Sequence, residues 1–141
     1  MVFIIRLHNV KNHLHMTGEI VLIVEDEGLI TLHLTEILEN VGYRVVDPAY
    51  SGEMALKAFQ KSPLPDLILM DIGLAGSIDG IETARKIRQH WSIPLIFVTA
   101  YTSEKMLARM RDVAPDGVLI KPFVDSELLD LVRKALSHPA T

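Results

Sequence analysis

Two adjacent acids, Glu25 and Asp26, a third acid, Asp71, a hydroxyl, Thr99, and an amine, Lys121, each follow directly on a short apolar run. The runs are Ile20–Val24, Leu67–Met70, Leu95–Val98 and Val118–Ile120. Carboxylates crowded into one pocket repel, by roughly 3 kcal/mol for two charges about 5 Å apart at an effective dielectric of about 20. A proton on one of them, or a cation between them, must offset that repulsion. Hard oxygen donors with room for water suit Mg²⁺, which commonly bridges to phosphate. With Lys121 as a mobile positive charge and Thr99 as a hydroxyl donor, the set has the parts for phosphoryl transfer onto a carboxylate, because that transition state spreads charge over three equatorial oxygens. Asp71 is the candidate nucleophile.

Taken singly, each residue has a plainer reading. Asp71 suits a turn, the acids at 25–27 suit the positive end of a helix, Thr99 suits a strand and Lys121 suits solvent. Their joint placement at four strand ends is what points to chemistry. Continuous Val/Ile/Leu runs read as parallel strands buried on both faces, and ligands of open α/β sheets sit at the carboxyl ends of such strands.

The elements that would position these residues follow a βαβ rhythm, with apolar runs alternating with helical periodicity from Glu19 onward. A first helix is expected from near Glu27, with Ile30, Leu34, Ile37, Leu38 and Val41 on its buried face and Gly42 as its stop. Tyr43–Ala49 reads as the second strand, and Ser51 to about Lys61 as a helix burying Ala55, Leu56, Ala58 and Phe59. The segment 62–65, Ser-Pro-Leu-Pro, breaks that helix before a strand over 66–70. Asp79 and Glu82 have capping-box spacing and start a third helix facing inward through Ile81, Ala84, Ile87 and Trp91. Pro94 closes the connection to the fourth strand. Thr102 or Ser103 caps a fourth helix with Met106, Met110 and Val113 as its stripe, and the turn Pro115-Asp116-Gly117 leads into strand five. Asp125 or Ser126 starts a last helix with Leu128, Leu129, Val132, Ala135 and Leu136 inside. Five strands and five helices make a doubly wound parallel sheet the simplest arrangement.

Bulk properties set the limits. At 141 residues the chain is one domain, and its 49% hydrophobic and 23% charged residues are those of a globular protein. A net charge of −4, from 14 basic and 18 acidic residues, argues against direct nucleic-acid binding. Cysteine is absent, which excludes disulfides, thiolate nucleophiles and Cys-based metal sites. No stretch approaches the ~20 apolar residues of a membrane span, and the run over 2–5 is too short for a signal-peptide core. A cytoplasmic location is the default. Residues 1–18 carry three histidines, His8, His13 and His15, and no acid, and are expected to be a flexible or loosely docked extension before a domain over 19–137.

From Glu19 to Leu136 the chain resembles the CheY-like receiver domain of two-component response regulators. The segments VLIVEDE, DLILMD, DGIETA, PLIFVTAY and GVLIKPF carry the resemblance, in order and at the expected distances. It implies a flavodoxin-like sheet of strand order 2-1-3-4-5. It also implies Mg²⁺-dependent phosphorylation of Asp71 by a phosphohistidine on a sensor histidine kinase or phosphotransfer protein. In that pattern Glu25, Asp26, Asp71 and the carbonyl of Gly73 hold the metal, Thr99 and Lys121 contact the phosphoryl group, and the Lys121-Pro122 bond is usually cis. The output implied is a switch in binding of a downstream protein, through the face of the fourth helix, fifth strand and fifth helix, with a homodimer as one form it can take.

Three departures stand out. Glu25 occupies a place where the family often has Asp. The loop from Asp71 to Asp79 is one residue longer than the commonest pattern, with Ala75 near the usual proline. Val118 stands where an aromatic switch residue is common, three positions before the lysine, and Tyr101 is the nearest aromatic that could compensate. Three rivals remain on the residues alone. A Mg²⁺-dependent aspartyl-phosphate phosphatase would want an acid where Gly73 stands. A flavin module would want hydroxyls and glycines where 25–27 are acidic, and a non-phosphorylated interaction module would keep the fold without the chemistry. After Leu136 the remaining residues leave no room for an output domain within this sequence.

Overall fold

The computed structural model describes residues 18–61 and 63–137. The expectations for residues 1–17 lie outside the described residues. The elements are β1 (Ile20–Val24), α1 (Gly28–Asn40), β2 (Arg44–Val45), α2 (Gly52–Ala58), β3 (Leu67–Met70), α3 (Gly80–Arg88), β4 (Leu95–Thr99), α4 (Glu104–Val113), β5 (Gly117–Ile120) and α5 (Asp125–Ser137). The five strands are parallel in the order β2-β1-β3-β4-β5, as the flavodoxin-like reading requires.

Because side chains alternate across a strand, each central strand feeds two cores. Leu22, Val24, Ile68, Met70, Leu95 and Phe97 face α2, α3 and α4, meeting Ala55, Phe59, Ile81, Ala84, Ile87, Met110 and Val113. Val21, Ile23, Leu67, Leu69, Ile96 and Val98 face the opposite way, onto Leu34, Ile37 and Leu38 of α1 and Leu128, Val132 and Ala135 of α5. That two-sided burial is why these strands read as unbroken apolar runs. Trp91 is half-buried, its ring 5.0 Å from that of Phe59.

Two expected elements are shorter than the sequence pattern suggests. The second strand, expected over Tyr43–Ala49, pairs regularly only at Arg44 and Val45. Pro48 has no N–H to give the ladder, so pairing lapses there and resumes at Ala49, which donates to Ile23 and accepts from Glu25, both at 2.9 Å. The helix expected to reach Lys61 ends at Ala58, and Gln60 and Lys61 close tight turns onto the carbonyls of Lys57 and Ala58.

The caps are those the sequence offers. Ser51 accepts from Met54, Asp79 from Glu82 and Ser103 from Met106, each through its side chain. The capping box at Asp79 has only one of its two arms as expected, since the Glu82 carboxylate pairs with Arg85 at 2.6 Å.

Candidate functional site

Strand register brings the singled-out residues to one edge. Val24 pairs with Met70 and Thr99 with Ile120, so the residues after each strand end meet above the same end of the sheet. Glu25, Asp71 and Thr99 are buried, at 2%, 8% and 0% exposure, whereas Asp26 is exposed. Carboxylate oxygens of Glu25, Asp26 and Asp71 all lie within 4.8 Å of one another.

One cation answers these acids. Lys121 Nζ lies 2.7 Å from Glu25 Oε1 and 3.7 Å from Asp71 Oδ2. The other Glu25 oxygen accepts the backbone N–H of Asp26 at 3.0 Å and of Glu27 at 3.5 Å, at the entry to α1. On Asp71, Oδ1 accepts the N–H of Ile72 at 2.8 Å, which leaves Oδ2 as the oxygen turned toward the ammonium.

The site is electrostatically strained. Burial, followed by the neighbouring Asp71 carboxyl, raises the Glu25 pKa from 4.5 to about 7, against the opposing pull of Lys121. Burial also works to lower the pKa of Lys121, but its hydrogen bond to Glu25 and the charges of Asp71, Glu25 and Glu27 together raise it. Such paired perturbations are typical of sites built for chemistry, because burial is kept while charge is not neutralised. Every donor in the acid cluster is a carboxylate oxygen, a set that suits a hard divalent cation.

Thr99 and the loop after β4 are fixed in a way the sequence did not specify. Thr99 Oγ1 accepts the N–H of Tyr101 at 3.0 Å. The Tyr101 ring, half exposed, lies over Gly73, so closely that a Cβ there would sit 2.9 Å from its Cε2 and 3.0 Å from its hydroxyl. Val118 is half-buried and packs against the core on the side of α2, α3 and α4. The Lys121-Pro122 peptide is cis.

Sequence reasoning also missed Gly80. A Cβ there would overlap the carbonyl oxygen of Asp71, and the Gly80 N–H donates to Ile72 at 2.8 Å. Only a glycine lets the start of α3 press against the backbone of the candidate nucleophile. Its signal lies in the Asp79-Gly80 pair, where the sequence shows a helix cap and a motif but not the packing requirement.

Comparisons with known proteins bear on the family and the fold. Residues 21–133 fit the response regulator receiver domain family model. The chain is 35% identical over 118 residues to the transcriptional regulatory protein PdtaR of Mycobacterium tuberculosis, covering 84% of this chain and 57% of PdtaR. It is 39% identical over 122 residues to the KDP operon transcriptional regulatory protein KdpE of Escherichia coli, covering 86% of this chain and 53% of KdpE. The chain thus spans little more than half the length of these relatives. Its fold superposes with a TM-score of 0.76 on the crystal structure of a CheY-like receiver domain protein from Methanospirillum hungatei, at 28% identity, over 84% of this chain and 94% of that one. A five-stranded sheet of this order, with its acids, hydroxyl and lysine at one edge and the family pattern running through its length, places the chain in the response regulator receiver domain family.

Proposed function

We propose that the domain over residues 19–137 accepts a phosphoryl group on Asp71 from a phosphohistidine of a sensor histidine kinase or phosphotransfer protein, with residues 1–18 as an extension to it. The observation that carries this reading is the Asp71 carboxylate, flanked by two further acids and facing Lys121 at 3.7 Å. An Asp71 oxygen would attack phosphorus as the P–N bond to the imidazole breaks, leaving an acyl phosphate on the chain. Glu25, Asp26, Asp71 and the Gly73 carbonyl would hold Mg²⁺, which when bound supplies positive charge to the carboxylates and the phosphoryl oxygens. Lys121, already within 3.7 Å of Asp71, would contact the phosphoryl group, and Thr99, at the end of β4, offers the hydroxyl that would meet it.

The domain is a phosphoacceptor that assists its own phosphorylation and dephosphorylation rather than a turnover enzyme. Its phosphorylated form would switch binding of a downstream protein through the α4, β5 and α5 face, or pair with a second copy there. Among the described residues no helix is long and apolar enough to cross a membrane, and a cytoplasmic location goes with the kinase partner. Incubation with acetyl phosphate and Mg²⁺ should add one phosphoryl group by intact mass. Equal incorporation in Asp71→Asn would overturn the assignment.

A further inference from the structure

The loop over 72–79 begins beside Asp71 and carries Gly73; Ile72 is buried and Leu74 packs against the core, while the chain around them is open to solvent. Gly73, Ala75, Gly76 and Ser77 are all exposed. Exposed glycine-bearing chain has many conformations open to it, so a fixed geometry needs specific partners. They come from the start of α2. Ala75 forms an isolated bridge with Ser51, and Glu53 Oε1 accepts both donors of Ser77, its hydroxyl at 2.6 Å and its backbone N–H at 3.0 Å. Gly76 has φ +103°, and a Cβ on it would press against the other Glu53 oxygen. The turn at Gly76 therefore brings the chain within reach of one carboxylate.

We propose that Glu53 is a positioning residue for the phosphorylation site, holding the loop that carries Gly73 in place through its two hydrogen bonds to Ser77. This rests on the phosphoacceptor reading above. Glu53 stands on the first turn of α2, whose Ser51 cap and buried Gly52 and Ala55 give it a rigid base. The hydrogen bond from the Ser77 hydroxyl, followed by backbone donors, lowers the carboxyl pKa to about 2, so the clamp stays ionised over the working pH range. Its competing role is a favourable interaction with the helix N-terminus, which needs the charge but not the loop.

Glu53→Gln separates the two roles, because the amide oxygen can still accept from Ser77 while the charge is gone. In the metal-free full chain, hydrogen exchange of the peptide covering 72–79 should quicken about tenfold in Glu53→Ala and stay within about twofold of the parent in Glu53→Gln. The Mg²⁺ midpoint, read from the Gly73 amide shift during titration with the metal alone, should rise about three- to tenfold in Glu53→Ala and little in Glu53→Gln. Unchanged loop exchange in Glu53→Ala, faster exchange with an unmoved midpoint, or Glu53→Gln behaving like Glu53→Ala would each overturn the proposal. Should Glu53→Ala fail to fold, Ser77→Ala carries the same test with a smaller shift in the same direction. A parent chain that took up no phosphoryl group would count against the phosphoacceptor reading alone, since the exchange and metal-titration readouts need no phosphodonor.

Discussion

At the amino edge of the sheet Asp116 accepts from Leu95 N–H and from Arg88, both at 2.8 Å, while Arg88 also donates to the carbonyls of Val113 and Ala114. Asp66 on the same edge accepts the N–H of Ile20 at 2.7 Å. At the carboxyl edge Glu25, Asp26 and Asp71 crowd together with Lys121 as the cation between Glu25 and Asp71. Both edges use acids and a basic side chain. One spends them on closing helix and strand ends, including the left-handed turn at Ala114; the other keeps them underneutralised. Satisfied charges stabilise a fold, whereas unsatisfied ones store the free energy that a metal or phosphoryl group can release.

The contrast is most easily broken at Arg88. Arg88→Ala removes the guanidinium from the carbonyls of Ile93, Val113 and Ala114 and leaves the Asp116 carboxylate only the N–H of Leu95, and should cost about 2–3 kcal/mol in denaturant unfolding while leaving phosphoryl uptake per folded molecule unchanged. A loss of uptake without a loss of stability would erase the division between the edges.

A comparable effect sharpens the other side. Folding raises the Glu25 pKa from 4.5 to about 7, so the folded chain binds more protons than the unfolded one across that window. Its contribution is full below about 4.5 and is lost as pH rises through 7, on the order of 3 kcal/mol in metal-free protein. With chelator present, stability against pH should therefore fall through this window in the parent, and the fall should flatten in Glu25→Gln. An identical slope in both would mean that Lys121 already neutralises Glu25 and that the carboxyl edge is not strained.

The smallest expected effect concerns the cover on that edge. The Tyr101 ring lies over Gly73 and, on the phosphoacceptor reading, would narrow the approach of water to an acyl phosphate on Asp71. Tyr101→Ala should shorten the half-life of phosphorylated Asp71 several-fold, equivalent to about 1 kcal/mol or less in barrier, with little change in stability. An unchanged half-life would confine the ring to covering the loop.

Much of the carboxyl edge was legible because it depends on local order: an apolar run ending in a polar residue is visible one residue at a time. The amino edge was not. Asp116 was legible only as part of a turn, and Arg88 reads as one more basic residue at a helix end, because all its partners but Ile93 lie 25 to 28 residues away along the chain. The second strand failed for a related reason. Its apolar pattern runs to Ala49, but pairing depends on the N–H that Pro48 lacks.

The sequence by itself determined the two-sided burial of the central strands and the types of residue at their ends, since both follow from hydrophobic periodicity and local chemistry. It also carried the family pattern, and with it the strand order. Only the tertiary structure decided which charges meet. Lys121 sits on Glu25, Tyr101 over Gly73, Gly80 against the Asp71 carbonyl and Glu53 on Ser77. Those pairings span gaps that no local pattern encodes, and they are fixed by close approach of elements whose register is set by the packed core.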